Sequence, residues 1–227
     1  MPPMLSAENG SVERSSNERS SNERSSDESC SASGEDNYSV AEQDYLLALV
    51  HKVIDAGLKS QQPVVQSNVD GNQYPGLLRQ RSCFVTLKIN GQLRGCIGNL
   101  EANSRLIDAV ARNTYLAAFK DHRFNPVTRN EAEQLEVEIS VLTPMQPLPV
   151  ISNEDLLQKL RPGVDGLVFK AGECQATFLP AVWQQLPATK SFVEQLKQKA
   201  GLSADFWSDD VHCQIYQAIK VSKESLE

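Results

Sequence analysis

Apolar and polar positions fall into ordered patterns from Ser39 onward. Leu46, Leu49, Val50, Val53, Ile54 and Leu58 recur at helical spacing, and Ser39 with Glu42 forms a capping-box pair ahead of them. Residues 61–76 break the pattern with two prolines and two glycines. Residues 83–89 are rich in β-formers. Asn90-Gly91 then signals a two-residue hairpin, because both positions tolerate positive φ, and residues 92–97 form the return strand. A helix is predicted from about residue 104 to residue 120. Thr128 and Glu131 make a second capping box for a short helix, and residues 135–141 alternate as a strand with one buried face.

In the second half, Ser152 caps a short helix running to Leu160. Residues 166–170 and 174–179 form a second hairpin turning at 171–173. Residues 180–186 and 189–200 are predicted helical, with Gly201 placed to end the second helix. One last strand is predicted over residues 211–221. Strands and helices are interleaved, but the hairpins demand antiparallel pairing. The expected fold is therefore α+β (mixed α/β), a mostly antiparallel sheet with packed helices. The proline-rich stretch at residues 144–149 marks a lobe boundary near 144–150.

Composition adds one division. Glu-Arg-Ser-Ser-Asn runs from Glu13 and again from Glu18, with a variant at Glu23. Such a segment cannot bury enough apolar surface to offset chain entropy, so residues 1–38 are expected to be a disordered tail and residues 39–227 the folded domain. The first 39 residues carry a net charge of −5, out of −7 for all 227 residues. The near-neutral remainder argues against nucleic-acid binding driven by bulk charge. The longest apolar run, residues 45–50, is far short of the roughly 20 residues a membrane span needs. No signal peptide is expected at the N-terminus, which lacks a basic region and an apolar core. The five cysteines are odd in number, widely spaced and without a CxxC pair. That pattern indicates a reduced, cytoplasmic protein.

Candidate chemistry concentrates in Leu93-Arg94-Gly95-Cys96-Ile97-Gly98. A regular hairpin would set Arg94 opposite Leu87 and Cys96 opposite Val85, so that both side chains leave one face. A guanidinium beside a thiol favours the thiolate. Gly95 and Gly98 weaken a strand, and they are explained by a bulge or by close approach of a backbone or ligand. These features suit a reactive cysteine or a small anion site, with a buried cysteine beside packing glycines as the alternative. In the loop Asp121-His122-Arg123-Phe124, His122 could act as a base and Arg123 could hold an anion. Equally, Asp121 and Arg123 could form a local ion pair while Phe124 anchors the loop. Glu138 is the carboxylate best placed for a cleft among Glu136, Glu138 and Ser140, which share the polar strand face. No metal set, no nucleotide-binding glycine loop and no nucleophile elbow is present, so no cofactor is expected.

These segments together resemble the AMMECR domain family, which includes the prokaryotic proteins called AmmeMemoRadiSam system protein A. Residues 84–87, the complete cysteine motif, residues 117–124 and the strand at 135–142 follow the family pattern in order. So do Asp165-Gly166-Leu167, Phe178-Leu179-Pro180, residues 192–200 and Trp207. His122 stands where the family usually has proline, and Gln175-Ala176-Thr177-Phe178 replaces a more apolar lead-in. The resemblance implies a larger and a smaller lobe with the cysteine motif near their junction. It also implies MEMO-like and radical-SAM proteins as partners. Three functions follow as expectations. The first is an accessory component binding a small-molecule or peptide ligand. The second is a thiol-dependent enzyme with Cys96 activated by Arg94 and served by His122 or Glu138. The third is a nucleic-acid-associated regulator, which the charge balance disfavours.

Overall fold

The computed structural model describes residues 37–60 and 69–223; residues 1–36 of the expected tail lie outside them, whereas Tyr38, at its end, is buried in the core. Helix α1 (Val40–Ser60) starts at the predicted capping box. The Glu42 carboxylate accepts the Ser39 amide at 2.9 Å, and the Ser39 hydroxyl accepts the Glu42 amide at 3.3 Å. The buried Glu42 side chain also accepts the Gly76 amide at 2.7 Å, tying the helix start to a 3-10 turn at Pro75–Leu78. The hairpin of β1 (Cys83–Ile89) and β2 (Gln92–Gly98) turns at Asn90 and Gly91, whose φ values are 51° and 72°.

Two antiparallel four-stranded sheets follow. The first has the order β2-β1-β3-β8, with β3 at Glu136–Leu142 and β8 at Ala218–Ser222. One of its faces buries Cys83, Val85, Leu87, Ile139, Val141 and Val221 under α1 and α2 (Leu106–Phe119). The second has the order β4-β7-β5-β6. Its strands are β4 (Gln146–Leu148), β5 (Gly166–Ala171), β6 (Cys174–Phe178) and β7 (Val211–Tyr216). Leu167, Phe169 and Cys213 on its buried face pack with α4 (Asn153–Lys159) and α5 (Thr189–Lys199). There the Trp183 ring stacks on Phe192 at 3.8 Å. Leu142, Val168 and Tyr216 are buried where the two sheets meet, with Phe84, Leu100, Met145 and Leu179 packed around them. The fold is α+β, as expected.

The predicted last strand is in fact two. β7 belongs to the second sheet and β8 to the first, with the break at Gln217. Its amide donates to the Thr143 hydroxyl at 2.8 Å and its carbonyl accepts the Thr143 amide at 2.9 Å. The chain thus changes sheets twice in one place, outward at residues 143–145 and back at Gln217. Alternation alone cannot report this, because the two-residue period continues through the switch.

Lys197 is fully buried beneath the second sheet. Its amine donates to Asn153 Oδ1 at 2.7 Å and lies 5.7 Å from the ring centres of both Phe169 and Trp207. Burial pushes its pKa down against the pull of Cys213, Glu194, Asp205 and Glu154. A lysine whose folded pKa is depressed costs stability in full below that value, and the cost fades as pH rises from it toward the unfolded value. Lys197→Met is therefore expected to leave the melting temperature at neutral pH unchanged or higher. Asn153→Ala, which strands the amine, is expected to cost about 1–3 kcal/mol in thermal denaturation.

Candidate functional site

The first sheet exposes an edge at β2, and an exposed edge carries unpaired backbone groups. At Cys96 those groups are both taken. Asp121 accepts the Cys96 amide at 2.9 Å, and Arg123 donates to the Cys96 carbonyl at 2.9 Å. The two side chains are joined to each other, Nε to Oδ1 at 2.9 Å and Nη2 to Oδ2 at 2.6 Å. The Asp121 side chain is 2% exposed. Its hydrogen bond to Arg123 holds its pKa well below the usual carboxylate range, against burial and with the Cys96 amide adding to the effect. The loop after α2 is thus a clip on the cysteine strand, and the sequence-level ion pair is correct in partner but wider in reach. The Arg123 guanidinium also interacts with the Cys96 side chain.

Arg94 does something else. The hairpin is not regular: Lys88 pairs with Leu93 and Leu87 with Gly95, so Arg94 is the extra residue of a β-bulge. Cys96 consequently sits opposite Thr86, not Val85. The Arg94 guanidinium reaches Glu131 with Nε to Oε1 at 2.8 Å and Nη2 to Oε2 at 3.1 Å, and donates to the Asn125 carbonyl at 2.9 Å. Glu131 belongs to the short helix α3 (Arg129–Ala132), whose capping box with Thr128 forms as expected. Its pKa falls to about 2, through Arg94 first and the Thr128 amide second. The expected Arg94–Cys96 pairing is therefore corrected: Arg94 is a strut between the hairpin and α3. Both guanidiniums lie over the Phe124 ring, Arg94 at 5.8 Å and Arg123 at 5.5 Å from its centre.

The glycines have local reasons. A Cβ at Gly95 would meet the Ala117 carbonyl oxygen of α2 at 2.3 Å. One at Gly98 would meet the Phe84 ring at 2.3 Å and the Cys83 carbonyl oxygen at 2.6 Å. The protein's own atoms, rather than a ligand, fill the space these glycines leave.

The register also builds a row across the polar face of the sheet. Cys96 pairs with Thr86, Thr86 with Glu138, and Glu138 with Ser222. Opposed residues in antiparallel strands bring their Cβ atoms to about 5 Å. The Thr86 hydroxyl donates to Cys96 Sγ at 3.4 Å. The Glu138 carboxylate takes Lys88 at 3.1 Å and Lys220 at 2.9 Å. Burial opposes its ionisation, yet the two lysines prevail and its pKa is lowered. Cys96 is partly exposed, whereas Cys83 and Cys213 are buried, and burial pushes both buried thiols up to about 12. His122 is exposed, and no hydrogen bond joins it to Cys96 or Glu138.

Residues 47–221 match the family model described as AMMECR1. The chain belongs to the AMMECR1 family. Among its AMMECR1-like relatives, a curated protein of Methanothermobacter thermautotrophicus is 41% identical over 141 residues, covering 60% of this chain and 71% of that one. Protein MJ0810 of Methanocaldococcus jannaschii is 30% identical over 203 residues, covering 83% of this chain and 96% of its own. The crystal structure of the uncharacterised protein PH0010 from Pyrococcus horikoshii superposes with a TM-score of 0.71 at 29% identity, covering 79% of this chain and 90% of that one. Two residues of this AMMECR1-family chain escaped the sequence reading. Thr86 was readable in principle, since it shares the alternation of Phe84 and Lys88. The strut role of Glu131 was not, because its partner lies 37 residues away.

Proposed function

We propose that this AMMECR1-family chain is a binding component that takes a small-molecule or peptide ligand on the face carrying Cys96, Thr86 and Glu138. The observation that carries this reading is the surroundings of the thiol. Among the described residues the thiol accepts from the Thr86 hydroxyl and has the Arg123 guanidinium beside it, neither of which is a base, while the Glu138 carboxylate is committed to two lysines. A nucleophilic cysteine needs a base within hydrogen-bond reach, directly or through one water. The residue expected to activate it, Arg94, is bound to Glu131 instead. A backbone clamped by Asp121 and Arg123 supports a pre-organised recognition surface. MEMO-like and radical-SAM partners are part of this proposal on the family resemblance, and a cytoplasmic setting is part of it on the four free thiols at Cys83, Cys96, Cys174 and Cys213. Among the described residues no helix is long and apolar enough to cross a membrane.

The test is to incubate the full chain with a native extract and compare it with Cys96→Ser by mass spectrometry of captured proteins, captured small molecules and the intact chain. The binding reading expects the serine variant to retain the captured set, with no covalent adduct on Cys96 in the wild type. A thiol-releasable adduct on Cys96, absent from the variant, would establish the thiol-enzyme reading in its place.

A further inference from the structure

Asp121 and Arg123 close the β2 edge at Cys96, but the same edge is open two residues further on. Hydrogen-bonded and open positions alternate along an antiparallel pair, so Gly98 turns its amide and carbonyl away from β1 as Cys96 does. The next residue points back, with the Asn99 amide donating to the Cys83 carbonyl at 3.4 Å. Among the described residues neither outward group of Gly98 has a hydrogen-bond partner.

Gly98 borders a hollow of about 580 Å³ whose apolar walls are Phe84, Ile97, Leu100 and Leu116. Asn113 lines it and is 2% exposed. Its side-chain nitrogen donates to the Cys83 carbonyl at 2.9 Å and to Asn99 Oδ1 at 3.2 Å, while its side-chain oxygen accepts from no group among the described residues. Arg112 stands on the exposed rim. Its guanidinium donates to the neutral Asn99 Oδ1 at 3.3 Å and pairs with no carboxylate among the described residues. The acid of the hollow, Glu101, has its carboxylate held by Asn103 at 2.8 Å.

We infer that this hollow binds the carboxylate end of a peptide whose last side chain is apolar. An outward amide and carbonyl on one residue offer the two main-chain hydrogen bonds by which an extended peptide adds to a sheet edge. The clip at Cys96 leaves room for one paired residue, which selects a chain end over the middle of a long strand. Arg112, with no acid of its own, suits the terminal carboxylate, a planar oxyanion that a guanidinium grips with two hydrogen bonds. The Asn113 oxygen takes a peptide N–H, and the apolar walls take the last side chain. The site is independent of the binding face proposed above, since none of Cys96, Thr86 and Glu138 lines the hollow.

The experiment titrates the full chain calorimetrically with acetyl-alanyl-leucine, and again with the same dipeptide closed as its C-terminal amide. Saturable one-to-one binding of the acid is expected, with the amide weaker by about tenfold or more. Arg112→Gln, a change on the exposed rim, is expected to weaken the acid to the level of the amide and to leave the amide unchanged. Nuclear magnetic resonance of the same titration is expected to shift the Gly98 amide and protect it from exchange, while the amide of Gly201, beyond α5, stays unmoved. Absence of saturable binding, equal affinity for acid and amide, equal weakening of both by Arg112→Gln, or an unmoved Gly98 amide at saturation would overturn the assignment.

Discussion

Gly95→Val is expected to lower the melting temperature by about 5–10 °C. The Cβ that valine introduces would fall 2.3 Å from the Ala117 carbonyl oxygen and 3.1 Å from its carbon. Those are backbone atoms within α2, held in a buried helix whose neighbours Ala118, Tyr115 and Thr114 are themselves packed. No flexible side chain can move aside, so either the helix or the edge strand must shift. Overpacking of this kind costs about 2–3 kcal/mol. For a domain of this size each kcal/mol moves the midpoint by about 2–4 °C. Calorimetry checks the result, and a drop below about 2 °C would mean that β2 and α2 separate without penalty.

Asp121→Asn is the second large effect. The wild-type carboxylate accepts the Cys96 amide and both arms of the Arg123 fork. Asparagine keeps the shape but loses the charge and presents donors toward a cation, at an expected cost of about 2–3 kcal/mol. Part of the ion-pair energy is already spent on screening, because the Arg123 side chain is 46% exposed. The pH signature is distinct. The folded pKa of Asp121 lies below its unfolded value of about 3.9, so its contribution is complete above that value and disappears as pH falls toward the folded one. Urea denaturation from about pH 6 to about pH 2.5 should show wild type losing its advantage over Asp121→Asn on the acid side. A constant gap across that range would contradict the clip.

The β1–β2 turn was legible because Asn90 and Gly91 solve a local problem, two consecutive positive φ angles, that the sequence states directly. The bulge at Arg94, three residues later, was not. It depends on Gly95 fitting under a carbonyl of α2 and on Arg94 being drawn to Glu131, and both partners are distant in sequence. One inserted residue was enough to move Cys96 from the Val85 position to the Thr86 position, which changes its face. The same limit explains β7 and β8. A two-residue period reports burial of alternate side chains but not the sheet to which a strand belongs. Asp121 and Arg123 were legible as a pair because they are two residues apart. Their grip on the Cys96 backbone required the fold.

Cys96 stands on an accessible face while its backbone is locked at the sheet edge. Residue-resolved alkylation of the native chain with iodoacetamide tests this most directly. Cys96 is expected to be modified in the folded protein while buried Cys83 and Cys213 are spared until denaturant is added, and Arg94→Gln is expected to leave the Cys96 rate unchanged. Resistance of Cys96 equal to that of Cys83, or a marked change of its rate in Arg94→Gln, would contradict it.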